Sequence, residues 1–325
     1  MNIVFLGSDD ISCGFLEALL TAPEHSVHAV VTQPRRPAGR NLTLRDSPIH
    51  TWMQKRALSI PVLTPGDVNT PESLDAIRGF NPDVVVVVAY GQFLGQALLD
   101  MPPHGCLNIH LSLLPKLRGA APIHRAMLQG FATTGVTAMH MDIGMDSGDI
   151  YGTREVPILS NDTHASLTAT LIDEGCKLLL KTLDDFASGT ATRTPQDHTQ
   201  KTTAKKVKKA DWTIDWTQPA EAIERAVRTF YPRPGTIAYI PNSILGAGHF
   251  TLIKIFSALV EGTTDQPPGT VISLDASGPL IACGDGTSLR LLEIHPEGKP
   301  RPISGNAFVN GYKNTLSPGD RLKVE

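Results

Sequence analysis

Asn81-Pro82-Asp83-Val84-Val85-Val86-Val87-Val88-Ala89-Tyr90-Gly91 decides the fold. Five consecutive valines are stiff at χ1, favour extended backbone and leave no polar position for a wet face. They fit a strand covered on both sides, which predicts a parallel sheet sandwiched by helices. Upstream, Asn2 to Leu6 is an apolar strand closing at Gly7, and Ser8-Asp9-Asp10 offers caps for a helix through about Leu20. Val27 to Thr32 reads as a second strand, Pro48 to about Leu58 as a helix, Val62 as a short strand, and a further helix follows Thr70. This alternation makes residues 1 to about 185 a doubly wound, mostly parallel α/β domain, Rossmann-like in class. Gly7 and Gly14 do not make a G-x-G-x-x-G turn, and no acidic residue ends the second strand, so a dinucleotide site is not indicated. Gln33 to Asn41, with two prolines and a glycine, is expected to lack regular structure.

Residues 163 to 189 read as a long helix, capped by Asn161-Asp162-Thr163 and ending at Gly189. Thr190 to Thr203 is polar without apolar periodicity and reads as a linker, leading into Lys205-Lys206-Val207-Lys208-Lys209. After a helix from about Pro219 to Thr229, short strands separated by Gly, Asn, Asp and Pro turns predict a small OB-like β-barrel. The expected division is 1–189 as catalytic domain, 190–209 as basic linker and 210–325 as the barrel.

The 325 residues can bury a substantial core, and 41% hydrophobic with 19% charged residues is ordinary for a globular protein. No apolar stretch approaches the ~20 residues that span a bilayer, and Met1 runs directly into a strand pattern without a signal region. No membrane partner is expected, and the cytoplasm is the expected compartment. Cys13, Cys106, Cys176 and Cys283 are scattered and read as buried or free thiols, with neither a disulfide framework nor a zinc site indicated. The net charge of −3 is unevenly shared: residues 201–325 hold 15 Lys/Arg against 12 Asp/Glu, so the basic excess lies in the C-terminal part.

The chemistry concentrates in Asn108-Ile109-His110 and in Gly144-Met145-Asp146-Ser147-Gly148-Asp149. An amide and an imidazole two residues apart at the end of a strand share one face. Together they can hold a developing oxyanion, and the imidazole can also move a proton. A carboxylate from a second loop, Asp146, can orient that imidazole. With no Ser or Cys nucleophile motif beside them, direct transfer of a group between two bound substrates is favoured over a covalent intermediate. The His and Asp residues lack zinc-like spacing, so no metal is expected.

Asn108-Ile-His-Leu-Ser-Leu-Leu-Pro115, Arg118-Gly119-Ala120-Ala121-Pro122, Gly135-Val136-Thr137 and Met141 through Asp149 together resemble the formyltetrahydrofolate-dependent formyltransferases. The resemblance implies Asn108, His110 and Asp146 as the catalytic set and 10-formyltetrahydrofolate as formyl donor. It places Ser112, Leu113, Leu114 and Pro115 along the folate, with Val88, Ala89, Tyr90 and Gly91 near the pterin. Several family members share this motif, including those that formylate nucleotide sugars. Thr32-Gln33-Pro34 and Arg36-Pro37-Ala38-Gly39-Arg40 resemble a loop that, in members acting on methionyl-tRNA, enters the acceptor end of initiator tRNA. The lysine-rich segment with Asp211 to Trp216, and Leu292 to Lys299, are similar to the same branch, and the likeness runs from Asn2 to about Gly311. It implies tRNA contacts for Arg36, Arg40, Arg45, Lys205, Lys206, Lys208 and Lys209, and a monomer. Departures are Gly7-Ser8-Asp9 where Gly-Thr-Pro is frequent, Arg35 in place of an acidic residue, a less basic Asn41-Leu42-Thr43, and Arg233 in place of Trp.

Overall fold

The valine run is the central strand of a seven-stranded sheet, with Val84 through Val88 each at most 6% exposed. The computed structural model describes residues 1–38, 42–241 and 249–323. The chain divides into two units: Met1–Pro122, Thr133–Pro157 and Thr168–Lys205 form the first, and Ile123–Ala132, Ile158–Leu167 and Lys206–Glu325 the second.

In chain order the N-terminal elements are β1 (Asn2–Gly7), α1 (Asp10–Thr21), β2 (Ser26–Val31), β3 (Arg36–Ala38), β4 (Thr43–Arg45), α2 (Pro48–Lys55), β5 (Val62–Leu63) and α3 (Pro71–Arg78). They continue through β6 (Val84–Val88), α4 (Gln96–Leu99), β7 (Cys106–His110), α5 (Pro122–Leu128), β8 (Thr133–His140), β9 (Ile150–Pro157) and α6 (His164–Ser188). The sheet order is β5-β2-β1-β6-β7-β8-β9, parallel through β7 and antiparallel at β8 and β9. Alternate valines face opposite ways, as period two requires. Val85 and Val87 join a cluster with Ile77, Leu98 and Leu99. On α1, Gly14 lies against Ile172 of α6, and Gly175 of α6 lies against Phe15 of α1; a Cβ at either glycine would collide with the facing side chain.

Helix starts follow their capping residues. Ser47 accepts from the His50 N–H and Thr70 from the Ser73 N–H, each followed by proline at the first helical turn. Asp9, expected to cap α1, makes no side-chain cap bond, while Ser8 donates to the Tyr90 carbonyl instead. The proline-rich segment also departs from expectation. Arg36–Ala38 pairs antiparallel with Thr43–Arg45 as a separate two-stranded ribbon, where Pro37 is tolerated because both strands are edges.

The second unit contains α7 (Ala220–Phe230), β10 (Thr236–Pro241), β11 (Phe250–Thr263), β12 (Val271–Asp275), β13 (Gly278–Ala282), β14 (Thr287–Pro296), β15 (Ile303–Ser304) and α8 (Gly305–Tyr312). Its sheet is antiparallel in the order β10-β11-β14-β13-β12, with β15 on β14. The edges β10 and β12 are stitched by the chain end: Val271 N–H donates to Asp320 O, Leu322 N–H to Gly269 O, and Lys323 N–H to Tyr239 O. Those bonds cover part of the edges an open sheet would present. Trp216, Phe308 and the inward isoleucines of β11 form its buried core.

Candidate active site

Register brings three strand ends together. Gly7 of β1 sits opposite Val88 of β6, and Val87 sits opposite Asn108 of β7. The loop Ala89 to Gly91 therefore leaves the sheet beside Asn108 and His110, at the carboxyl ends where open α/β sheets bind ligands. Ala89 and Gly91 both have positive φ, at 47° and 87°. The turn is held from below: Ser12 Oγ donates to Val88 O, Ser8 N–H to Ala89 O, and Gln33 Nε2 to Tyr90 O.

Asn108 and His110 are each 8% exposed. No hydrogen bond engages the Asn108 carboxamide among the described residues, so its N–H donors remain available. His110 is fixed on one side, with Nε2 3.0 Å from the Leu117 carbonyl. A carbonyl only accepts, so Nε2 carries the hydrogen and Nδ1 is the nitrogen left for chemistry. Nδ1 faces Asp146 Oδ2 at 3.7 Å, longer than a hydrogen bond. Asp146 has φ 50°, and its Oδ2 accepts from the Gly119 N–H at 2.7 Å.

Two other sequence motifs acquire physical reasons here. The Thr137 hydroxyl donates to Ser112 O at 2.7 Å and accepts from the Leu114 N–H at 3.1 Å, pinning the Ser112–Pro115 loop to β8. At Gly135 a Cβ would stand 2.5 Å from Leu113 and 2.2 Å from Arg154 O, so only glycine admits that loop. Ser112 Oγ donates to Lys116 O, and burial pushes the thiols up, to about 11 for Cys13 and Cys176 and about 12 for Cys106 and Cys283. None of these is an activated nucleophile.

Of residues 190–209, expected as a linker, those up to Lys205 belong to the first unit and are bonded along it. Thr194 pairs with Ile150 and Thr203 with Arg118. Gln196, 5% exposed, donates from Nε2 to Asp146 O at 3.0 Å and to Gly148 O at 2.7 Å, while its Oε1 accepts two bonds from Arg118. Thr202 Oγ1 accepts from the Leu117 N–H at 2.8 Å. Sequence reasoning misses these residues because their contacts are polar bonds to residues distant in the chain, which leave no apolar period; the polar run itself is the only trace.

The remaining sequence candidates are not brought into this constellation. Arg36 and Arg45 face one another across β3 and β4, both exposed, with Arg36 donating to Gln33 Oε1. Arg40 lies outside the described residues. Lys205, Lys206, Lys208 and Lys209 are all exposed, the first in the N-terminal unit and the others in the second. A cavity of about 290 Å³ lined by Leu63, Glu72 and Ile77, among others, lies at β5 and α3, away from these residues. Among the described residues no three His, Cys, Asp or Glu cluster as metal ligands, and no helix is long and apolar enough to cross a membrane.

A doubly wound sheet with an amide, an imidazole and a carboxylate at its carboxyl edge, followed by an antiparallel β unit, suits a group transferase. The chain belongs to the formyl transferase family: the formyl transferase model matches residues 1–183 and the formyl transferase C-terminal domain residues 206–313. It is 40% identical to the methionyl-tRNA formyltransferase of Citrifermentans bemidjiense over 99% of its length and 96% of that protein's. It is likewise 40% identical to that of Marinobacter nauticus, over 99% of this chain and 100% of the other. Among solved structures, HypX from Aquifex aeolicus in complex with tetrahydrofolic acid matches with a TM-score of 0.60 at 18% identity, over 99% of this chain and 50% of that one. The chain spans about half of HypX, and the likeness at that identity is one of fold.

Proposed function

We propose that this protein transfers the formyl group of 10-formyltetrahydrofolate to the α-amine of methionyl-tRNA, with Asn108, His110 and Asp146 as the catalytic set. The catalytic set is carried by the Asn108 carboxamide, unengaged among the described residues, beside a His110 ring fixed at Nε2 and faced at Nδ1 by Asp146, and the acceptor by the 40% identity to methionyl-tRNA formyltransferases over 99% of the chain. The uncharged amine attacks the formyl carbon, and Asn108 donates to the oxygen as charge develops there, a contribution worth about 2.7–4 kcal/mol of barrier. The His110 Nδ1 and Asp146 pair collects the amine proton and returns one to the departing nitrogen. Ser112 to Pro115 and Val88 to Gly91 border the folate, whose formyl carbon must reach Asn108. Residues 1–189 serve as the catalytic domain, with 190–205 bonded along it, and 210–325 as the tRNA-binding domain, the basic segment Lys205 to Lys209 standing between the two in sequence. Arg36, Arg40, Arg45 and the lysines of that segment meet phosphates of the acceptor end. The protein acts in the cytoplasm as a monomer.

The test is direct. Purified protein with 10-formyltetrahydrofolate is offered charged methionyl-tRNA or an amino-sugar nucleotide. Formylmethionyl-tRNA is the expected product. Formylation of the sugar nucleotide alone would reassign the acceptor while leaving the catalytic set in place.

A further inference from the structure

Both partners of the His110 ring are themselves held by the segment 194–204. The Leu117 carbonyl that accepts from Nε2 belongs to a residue whose own N–H is bonded to Thr202 Oγ1 at 2.8 Å. The next residue is locked in both directions, with Arg118 N–H donating to Thr202 O and Ala204 N–H to Arg118 O at 2.7 Å. On the other side of the ring, Asp146 sits in a left-handed conformation that L-residues adopt at a cost, and such a conformation persists only where neighbours over-determine it. Gln196 is the neighbour that does so. Its carboxamide donates to the carbonyls of Asp146 and Gly148, and the buried Arg118 guanidinium fixes which way the amide faces. Arg118 also meets His198 Nδ1 at 3.0 Å, so the same strand of chain holds both ends of the clamp.

We propose that Gln196 and Thr202 are positioning residues for the transfer reaction: they clamp the Asp146 loop and the Leu117 peptide, and so set the distance between the two groups that handle the proton. The proposal rests on the catalytic reading of His110 and Asp146 given above. Neither residue touches the reacting atoms, and their loss acts through geometry alone.

The substitutions that test it are Gln196→Glu, Thr202→Val and Thr202→Ser in the full-length protein. Gln196→Glu keeps an acceptor for Arg118 but sets carboxylate oxygens against two carbonyls it can no longer donate to. Thermal unfolding first establishes that each variant is folded. Turnover is expected to fall at least 10-fold in Gln196→Glu and in Thr202→Val, with KM for 10-formyltetrahydrofolate within twofold of wild type. Thr202→Ser, which retains the hydroxyl, recovers wild-type turnover. A second readout needs no acceptor: the His110 Nε2–H proton, followed by NMR, is protected from exchange in wild type and Thr202→Ser and unprotected in Thr202→Val. Folded variants with unchanged turnover and unchanged protection would overturn the proposal, as would a rise in KM alone, which would make the segment a substrate-binding one. Should Gln196→Glu fail to fold, the Thr202 pair decides. Wild-type protein that leaves methionyl-tRNA unformylated while Thr202→Val loses the protected proton would instead refute the acceptor and keep the clamp.

Discussion

The Gly119 N–H donates to Asp146 Oδ2 at 2.7 Å, so the backbone of the Arg118–Pro122 turn aims the carboxylate that faces His110. Gly119 has φ 117°, and a Cβ there would lie 2.9 Å from the Ala204 carbonyl. Gly119→Ala is therefore expected to strain the turn by on the order of 1–3 kcal/mol. The variant should unfold at lower temperature and turn over about 10-fold more slowly as the carboxylate is displaced. Steady-state kinetics beside a melting curve check this, and a wild-type result in both would show that Asp146 is aimed by other contacts.

The proposed catalytic set separates by role. Asn108→Ala and His110→Ala should each lower turnover by at least ~10² with folate affinity largely kept, because the Asn108 amide is proposed to meet charge, and His110 Nδ1 a proton, that develop only in the transition state. Asp146→Asn retains an oxygen for the Gly119 N–H and removes only the charge, so a comparable loss would assign the effect to electrostatics and not to orientation. Near-normal single-turnover rates in all three variants would remove the mechanism.

The parts of this architecture that rest on apolar pattern are legible in the chain itself. Val84–Val88 announces a strand covered on both faces, and all five valines are buried. Asn108 and His110, two apart at a strand end, can be read for the same reason: the strand period fixes their common face. Gly135 and Thr137 are visible as a motif, but seating Leu113 depends on a loop far back in the chain, and the Thr137 bonds that tie it down reach partners 23 and 25 residues away. The role of Gln196 is not legible at all. One buried amide bonded to two carbonyls 48 and 50 residues upstream leaves no local signature. Arg36–Ala38 defeats the expectation of irregular structure because its prolines forbid a central strand, whereas a two-stranded ribbon has only edges.

The lysine segment is expected to reveal itself through salt. Replacing Lys205, Lys206, Lys208 and Lys209 with Gln should weaken tRNA binding and flatten the slope of log K against log salt by about 0.7–0.9 for each lost phosphate contact. Hydrolysis of 10-formyltetrahydrofolate in the absence of tRNA should be unchanged. Filter binding across a salt series gives the slope, and an unaltered slope would mark these side chains as a solvated face.

Acid should destabilise the second unit through His124. Burial first, then the neighbouring His164 and Arg125, push this imidazole down from 6.5 to about 4, with Asp211 opposing. The ring lies 3.9 Å from that of His164, centroid to centroid, tilted by 37°. Between pH 6.5 and 4 the unfolded chain binds the proton that the folded chain refuses, so stability falls as pH falls through that window. At pH 5 the loss attributable to this residue is up to about 2 kcal/mol. His124→Gln, which does not titrate, should show a correspondingly smaller difference in unfolding free energy between neutral and mildly acidic buffer. Equal pH dependence in the two proteins would place the acid sensitivity elsewhere.

Thr137 offers the sharpest separation of folate binding from catalysis. Its hydroxyl is fully buried and serves two backbone groups of one loop, Ser112 O as acceptor and the Leu114 N–H as donor. Valine has nearly the same shape, so Thr137→Val keeps the packing of β8 while leaving both groups without partners. A buried unpaired group costs about 1–3 kcal/mol, and the loop can escape that cost only by moving away from β8. Folate affinity should therefore fall by about 10-fold, roughly 1.4 kcal/mol, because the surface bordered by Ser112 to Pro115 is no longer preorganised. The Thr137 hydroxyl bonds neither Asn108 nor His110, and valine keeps the strand pairing of residue 137 with His110, so turnover at saturating folate should stay within about threefold of wild type. Thr137→Ser, which restores both bonds, should restore affinity. Calorimetric titration with a folate analogue, set beside saturation kinetics, distinguishes the outcomes: a drop in turnover without a change in affinity would mean that the loop serves the reacting atoms and not the folate.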